Sequence, residues 1–192
     1  MAGERIKTRM KTKNNIANIE QFQHICCGCG ACEEACPVHA ITMQLDSEGF
    51  LYPCVSDACI SCGKCKRVCQ LYERPPQAQK GRHLVWCYTK DEDIRKGSSS
   101  GGFFWEVASK ILASGGAVYG AATDSDLSVS HRCAENEREL GALTRSKYVQ
   151  SRLQGCFSEI GTRLEKGQTV LFVGTPCQVA AAKTFLGETR VG

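Results

Sequence analysis

Two spaced groups of cysteines constrain this chain more than any other feature of its sequence. Eight of its fourteen cysteines fall into two runs with the same spacing, C-x2-C-x2-C-x3-C. The first run is Cys26, Cys29, Cys32 and Cys36, and the second is Cys59, Cys62, Cys65 and Cys69. The copies are offset by a constant 33 residues, and a glycine recurs at that offset as Gly30 and Gly63. A repeat this regular predicts two related loops that build two related sites.

The spacing is that of the bacterial two-cluster ferredoxins, in which each run gives three thiolates to one [4Fe–4S] cube and its fourth to the other cube. The sequence therefore predicts a crossed set of ligands: Cys26, Cys29, Cys32 and Cys69 on the first cluster, and Cys59, Cys62, Cys65 and Cys36 on the second. Pro37 follows the first run as the pattern requires, whereas Gln70 stands at the matching position of the second. This part of the chain is predicted to carry electrons.

Zinc and disulfides are the alternative interpretations of these cysteines, and both fit the spacing less well. Zinc sites close with four ligands, drawn from C-x2-C pairs that lie further apart in sequence. A disulfide framework requires an oxidising compartment, but residues 1–25 are polar and basic and contain no apolar signal core. The net charge of +4 is modest, and no apolar stretch reaches membrane-spanning length. We therefore expect a cytoplasmic protein with neither a nucleic-acid partner nor a membrane span.

Changes in composition divide the chain into four segments. We expect a basic tail over residues 1–17, a two-cluster ferredoxin-like domain over 18–74, a proline-containing linker over 75–82, and an α/β domain over 83–192. The predicted fold class is thus an α+β ferredoxin-like domain followed by an incomplete α/β domain with a mixed or partly parallel sheet. We expect further strands and a C-terminal half to be absent, because the chain stops shortly after its last predicted helix.

Hydrophobic periodicity places the elements of the two domains. In the first domain a hairpin is predicted from residues 40–45 and 49–52. In the second, strands are predicted at 84–88, 117–122, 127–131 and 169–173, and helices at 101–114, 150–166 and 177–186. Strands that alternate with helices favour a sheet with some parallel pairing.

Three segments of the second domain contain candidate binding residues. They are Ser99, Ser100, Gly101 and Gly102 at a helix entry, Lys147 in a Ser-Lys-Tyr segment, and Thr175 and Cys177 at a strand-to-helix turn. The helix entry offers N–H groups and hydroxyls to a phosphate, and the strand-to-helix turn lies where α/β sheets bind ligands. Each segment also has a purely structural interpretation, with Ser100 as an N-cap, Cys177 as a packed thiol and Lys147 as an exposed side chain. The remaining cysteines, Cys27 included, are expected to pack as small apolar side chains, and the histidines carry no prediction.

Six stretches together resemble the beta subunit family of coenzyme F-420 hydrogenases and dehydrogenases. They are CCGCGACEEACPVHAI, CISCGKCKRVC, SSSGG, GGAVYGAA, SKYVQS and VLFVGTPCQVAAAKTFLG, and they extend over residues 25–187. The resemblance implies a flavoprotein that binds FAD and iron–sulfur clusters and passes electrons to an organic acceptor, which is a deazaflavin in the archaeal members. It also implies that the two Gly-containing turns and Lys147 hold the flavin. The family usually has glycine where this chain has Arg145.

The expected function is therefore that of an iron–sulfur, FAD-linked oxidoreductase subunit, with a redox partner protein or a small organic electron acceptor as its partner. The alternative is a ferredoxin-type electron-transfer module, or a fragment without catalytic activity of its own. Whether the chain is an enzyme stays open at this point, because the sequence names neither the electron donor nor the acceptor.

Overall fold

A computed structural model describes residue 16 and residues 25–72 and 84–187. The first long range contains two one-turn helices and a hairpin: α1 (Ala31–Glu34), β1 (Ile41–Leu45), β2 (Leu51–Val55) and α2 (Lys64–Arg67). The two strands pair antiparallel along their whole length. The Asp46 carboxylate closes the turn between them, because it accepts hydrogen bonds from two backbone N–H groups beyond it, both at 2.9 Å.

The second long range is built around a three-stranded sheet. Its elements in chain order are α3 (Glu92–Gly97), α4 (Phe103–Ala113), β3 (Ala117–Thr123), β4 (Val129–Ala134), α5 (Glu137–Leu143), α6 (Cys156–Glu165), β5 (Val170–Phe172) and α7 (Pro176–Leu186). The strand order is β4-β3-β5, in which β3 is antiparallel to β4 and parallel to β5. The sheet is therefore mixed, as the alternation of strands and helices predicted.

The central strand β3 supplies side chains to a core on each face of this sheet. Successive residues of a strand point to opposite faces, so alternate positions enter different cores. Tyr119 packs with Phe157 of α6 and Ala181 of α7 on one face. Val118 packs with Ala108 of α4 on the other face. All five of these side chains are almost completely buried.

The two long ranges pack against each other through the first of these cores. Ala31 of α1 is buried in the same cluster as Phe157 and Ala181. At the edge of that contact, the Glu34 carboxylate accepts hydrogen bonds from the N–H and the hydroxyl of Ser158, at 3.0 and 3.1 Å. The first cysteine run is thereby held in a fixed position against the sheet.

Most of the predicted elements are confirmed, with small shifts at their ends, but the strand predicted at residues 84–88 is wrong. That segment has no regular structure, and the side chains of Leu84, Val85 and Trp86 are exposed. An apolar run forms a strand only where another strand pairs with it, and no described strand lies beside this one.

Helix boundaries account for the other differences. The helix predicted from residue 150 begins at Cys156, because Gly155 adopts a left-handed conformation with φ 74° just before it. Helices α3 and α5 were not predicted. Each begins at a polar N-cap, since the side chains of Asp91 and Asn136 accept hydrogen bonds from the first-turn N–H groups.

The described residues thus form a mixed α/β structure with two small sheets, in agreement with the predicted class at that level. The ferredoxin-like topology and the domain limits stay predictions. The predicted linker, and the predicted basic tail apart from residue 16, lie outside the described residues. Within the described ranges, no helix combines the length and the apolar character that crossing a bilayer requires.

Candidate functional site

The two cysteine runs fold into matching loops. In each run the third cysteine lies in a one-turn helix that begins after a glycine, Gly30 with φ 75° and Gly63 with φ 74°. Glycine adopts this left-handed conformation readily, whereas other residues are strained in it. The repeated glycines therefore let the chain turn sharply between the second and third cysteines of each run.

The second run shares a cavity with the last cysteine of the first run. The cysteines that line this cavity are Cys36, Cys59, Cys62 and Cys65. The Sγ of Cys36 accepts a hydrogen bond from the Ala40 N–H at 3.2 Å. The Sγ of Cys59 accepts one from the Ser61 N–H at 3.4 Å. The structure thus brings together the four residues assigned by the crossed pattern to the second cluster, and hydrogen bonds of this kind stabilise thiolate charge.

The thiols of Cys26, Cys32 and Cys69 lie near one another, and Cys32 also adjoins Cys65 of the other group. Burial raises the pKa of the Cys32 thiol, and the neighbouring Cys26 and Cys69 raise it further. A hydrogen bond with Cys27, together with burial, raises the pKa of Cys29. Cys69 comes from the second run, so the fold crosses the two runs here as well. Crowded and buried thiols become thiolates when a bound cation compensates their charge, as cluster iron does.

Both groups of four cysteines fit [4Fe–4S] cubes by their chemistry, since each supplies four soft sulfur ligands and at least two of the four pack against an apolar core. Within the described residues, no three His, Cys, Asp or Glu side chains converge on a point where one metal ion could bind. A cube distributes its four thiolates over four irons and does not require that convergence. The assignment of individual ligands stays a prediction.

A cleft of about 950 Å³ separates the first cysteine loop from the sheet. All seven candidate binding residues of the second domain line it: Ser99, Ser100, Gly101, Gly102, Lys147, Thr175 and Cys177. The opposite wall contains Cys26 and Cys27 and the start of β2. The structure therefore brings three segments that are distant in sequence into one cleft, next to a candidate cluster ligand.

Two hydrogen bonds join the serine-rich helix entry to the Ser-Lys-Tyr segment within one wall of this cleft. Ser99 Oγ accepts a hydrogen bond from the Ser146 N–H at 2.7 Å, and Arg145 Nε donates to the Gly97 carbonyl at 3.1 Å. Arg145 has φ 66°, in the left-handed region that glycine favours. The turn before the Ser-Lys-Tyr segment therefore has a conformation that favours glycine, although arginine stands there.

The structure shows the local surroundings of Ser100 and Lys147. Ser100 is not the N-cap of α4, because Gly102 holds that position with φ 77°. Lys147 is only partly exposed, and its Nζ donates to the carbonyls of Ala142 and Thr144 at 3.0 and 2.5 Å. Burial lowers the pKa of this amine. Lys147 therefore closes the C-terminal end of α5 at the edge of the cleft.

The turn that contains Thr175 and Cys177 is held by hydrogen bonds of its own. Thr175 is the N-cap of α7, and its N–H donates to Gln178 Oε1 at 2.9 Å. The Thr175 hydroxyl lies 3.1 Å from the Cys177 Sγ. Cys177 is only partly buried, so it is not the fully packed thiol of the structural interpretation.

Two glutamines that sequence reasoning missed connect the halves of the protein at this site. The Gln150 Oε1 accepts a hydrogen bond from the Leu51 N–H at 2.8 Å, and its Nε2 donates to the Cys27 carbonyl at 3.2 Å. The Gln70 Nε2 lies 3.2 Å from Cys27 Sγ and 2.9 Å from the Cys177 carbonyl. The only available signal was that Gln70 replaces the proline expected after a cysteine run.

His131 is a third residue of the cleft that carried no prediction. Its Nε2 lies 3.0 Å from the Val173 carbonyl, which can only accept, so Nε2 carries the proton. Its Nδ1 then accepts a hydrogen bond from the hydroxyl of Ser151 at 2.6 Å. Burial lowers the pKa of His131, which favours this neutral form. No spacing in the sequence could indicate the contact, because it depends on the pairing of distant segments.

Comparison with known proteins agrees with the site in the first half of the chain. Residues 25–72 match the family model of the 4Fe–4S dicluster domain. No match was found among curated proteins. The match covers both cysteine runs, and it supports bound [4Fe–4S] clusters. Residues 25–72 are therefore a 4Fe–4S dicluster domain, and the chain contains an iron–sulfur electron-transfer module.

Proposed function

We propose that this protein transfers electrons between two [4Fe–4S] clusters and an organic redox cofactor or acceptor of the flavin class, bound in the cleft. One observation carries the proposal. The cleft that contains all seven candidate cofactor residues also has Cys26, a candidate ligand of the first cluster, in its wall. A molecule in the cleft would lie beside that cluster, and electron tunnelling is fast only over short distances.

The properties of the cleft fit a flavin nucleotide. Its volume lies within the roughly 300–1,000 Å³ of pockets that bury small organic molecules. Tyr148 and Phe103 offer aromatic surface to a planar ring, and both side chains are more than half exposed at the cleft. Ser100 and the N-terminal end of α4 offer hydroxyl and N–H donors to a phosphate, and Lys147 adds positive charge.

If FAD binds here, it supplies the exchange between one-electron and two-electron chemistry that iron–sulfur clusters alone lack. Ser99, Ser100, Gly101 and Gly102 would hold its phosphates, and Lys147, Thr175 and Cys177 would hold its ring. The chain itself positions this wall through the Ser99–Ser146 hydrogen bond. The opposite wall is positioned by Gln150, which fixes the Cys27 backbone against β2.

The resemblance to the beta subunit family of coenzyme F-420 hydrogenases and dehydrogenases agrees with this function. Within that family the electron acceptor is a deazaflavin or another small organic molecule. We propose an acceptor of this kind, or a redox partner protein, for the present chain. The alternative is an electron-transfer module whose cleft binds no flavin.

The test is the iron and flavin content of the anaerobically purified protein, followed by titration with FAD. The wild type should contain about eight irons per chain and bind FAD. Ala121→Trp, which fills the cleft from β3, should abolish FAD binding and leave the iron unchanged. Thr123→Trp is the control, because Thr123 is exposed on the same strand and does not line the cleft. Full iron content with no binding of FAD by the wild type would reject the flavin proposal and favour the alternative.

A further inference from the structure

Two cysteines outside the two predicted ligand sets meet at the wall of the cleft. Cys27 lies in the first cysteine loop, beside Cys26, and Cys177 lies in the first turn of α7. The Cys27 side chain lies beside those of Cys29 and Cys177, although Cys27 and Cys177 come from opposite ends of the described chain. Both also line the cleft, so small molecules can reach them. Neither the repeated spacing nor the dicluster match gives either thiol a role.

The surroundings of this pair hold the two thiols together. The amide nitrogen of Gln70 links the Cys27 thiol to the backbone of Cys177, because it lies 3.2 Å from Cys27 Sγ and 2.9 Å from the Cys177 carbonyl oxygen. The Thr175 hydroxyl lies 3.1 Å from Cys177 Sγ on the other side. Gln70 follows directly after Cys69, so the bridge ties the pair to the first cluster site. Two thiols fixed side by side need little movement to form a bond.

We propose that Cys27 and Cys177 are a redox-active dithiol that closes reversibly to a disulfide at the wall of the cleft. In the reductive direction the S–S bond breaks, two electrons and two protons enter, and two S–H groups form. Two bound and reduced [4Fe–4S] clusters would supply the electrons, one each, and solvent water would supply the protons. In the oxidative direction a disulfide of the glutathione class accepts the two electrons by thiol–disulfide exchange. The proposal requires the clusters but no flavin, so it does not depend on the function proposed above.

The other cysteines outside the ligand sets are less suited to this role. Cys54 and Cys87 are exposed to solvent. Cys156 is buried in the core beside Tyr119 and Phe157. Cys133 packs against the same core, and neither Cys133 nor Cys156 lines the cleft as Cys27 and Cys177 do. Cys87 is a useful control, since it lines the same cleft.

The first test counts thiols in the iron-loaded full chain. The protein is equilibrated anaerobically in glutathione buffers of increasing oxidising strength, quenched in acid and alkylated after unfolding. Mass spectrometry should find two fewer alkylated cysteines than the fourteen of the reduced chain. Cys27→Ser and Cys177→Ser should abolish that loss, and Cys87→Ser should retain it. Loss of two thiols that persists in Cys177→Ser, or no loss in the wild type under any buffer, would overturn the proposal.

The second test counts electrons and separates the dithiol from a ligand role. The oxidised wild type, titrated with a reduced viologen, should take up two more electrons per chain than Cys177→Ser. Both proteins are freed of flavin before the titration, because Cys177 lines the proposed flavin site, so the difference in electron uptake reports only on the disulfide. Both Ser variants should keep the full iron content of the wild type. Loss of a cluster in either variant would show an iron ligand instead of a dithiol partner, and equal electron uptake would reject transfer from the clusters.

Discussion

Replacing Gly28 with alanine tests how tightly the first cysteine loop is seated against the rest of the protein. Gly28 has φ 61°, and a Cβ atom at this position would lie 2.2 Å from the Leu51 carbonyl oxygen and 2.3 Å from the Gln150 Nε2. The glutamine side chain can rotate away, but only by giving up the hydrogen bonds that join the loop to β2. The Leu51 oxygen belongs to the backbone of a paired strand and cannot move without it. Gly28→Ala should therefore displace the hairpin from the loop.

The magnitude follows from two contributions. A left-handed conformation costs a residue with a Cβ about 1–2 kcal/mol, and an overpacked contact adds about 1–3 kcal/mol. The matched control is Gly30→Ala, since Gly30 has φ 75° but no protein atom within 4 Å of the added Cβ. The control should cost only the first contribution, so the two variants should differ in the free energy of unfolding by about 1–3 kcal/mol.

The assay is thermal unfolding of the iron-loaded variants in anaerobic buffer at one scan rate. A difference of 1 kcal/mol shifts the melting temperature of a chain of this size by roughly 2–4 °C, so Gly28→Ala should melt roughly 2–12 °C below Gly30→Ala. Gly28→Ala should also lose iron faster in denaturant. Equal melting temperatures for the two variants would refute the close approach of Leu51 to the loop, and with it the seating of the cleft wall.

Three further predictions concern the ligands, a buried histidine and a strained turn. Cys36→Ala and Cys62→Ala should each remove about four irons, and the double variant should also remove about four. Cys36→Ala combined with Cys29→Ala should instead remove about eight. An additive loss of iron for the first pair would disprove the crossed assignment. Burial lowers the pKa of His131, so the unfolded chain binds more protons than the folded chain at acidic pH. The melting temperature should therefore decrease as the pH is lowered through about 6.5, and it should decrease less in His131→Gln. Parallel pH profiles for the two proteins would contradict this. The melting temperature of Arg145→Gly should be no lower than that of the wild type, because glycine adopts φ 66° without strain, whereas that of Arg145→Val should be lower. The reverse order of melting temperatures in calorimetry would exclude strain at this turn.

The features of this protein that sequence analysis could predict are those with a period or a fixed spacing. The cysteine runs and their repeated glycines have a constant offset, which is the signature of a repeated loop. The main strands and helices follow hydrophobic patterns, so their presence was predictable even where their ends moved. The one-turn helices and α3 are too short to show a pattern of this kind, although the cap at Asp91 is a recognisable signal.

Contacts between segments that are distant in sequence could not be predicted. Gln150 lies in a segment that was singled out for Lys147 and not for its glutamine. It joins the Leu51 backbone to that of Cys27, and this contact exists only because the two halves pack together. The exposed segment at residues 84–88 shows the opposite failure. Its apolar residues follow a strand pattern, but a strand also requires a pairing partner that the pattern does not report.

The arrangement of the two cysteine groups suits them to conduct electrons from one side of the protein to the other. Cys32 of the first group packs in the same apolar core as Cys36 and Cys65 of the second group. If each group binds its cluster as predicted, electrons can pass between the two sites through this apolar core. Each group also has one open side, because Cys62 is exposed to solvent and Cys26 lines the cleft. We infer that electrons exchange with a partner beside the exposed Cys62 and with a molecule in the cleft beside Cys26. The core that contains cysteines of both runs would then lie between these two points of exchange.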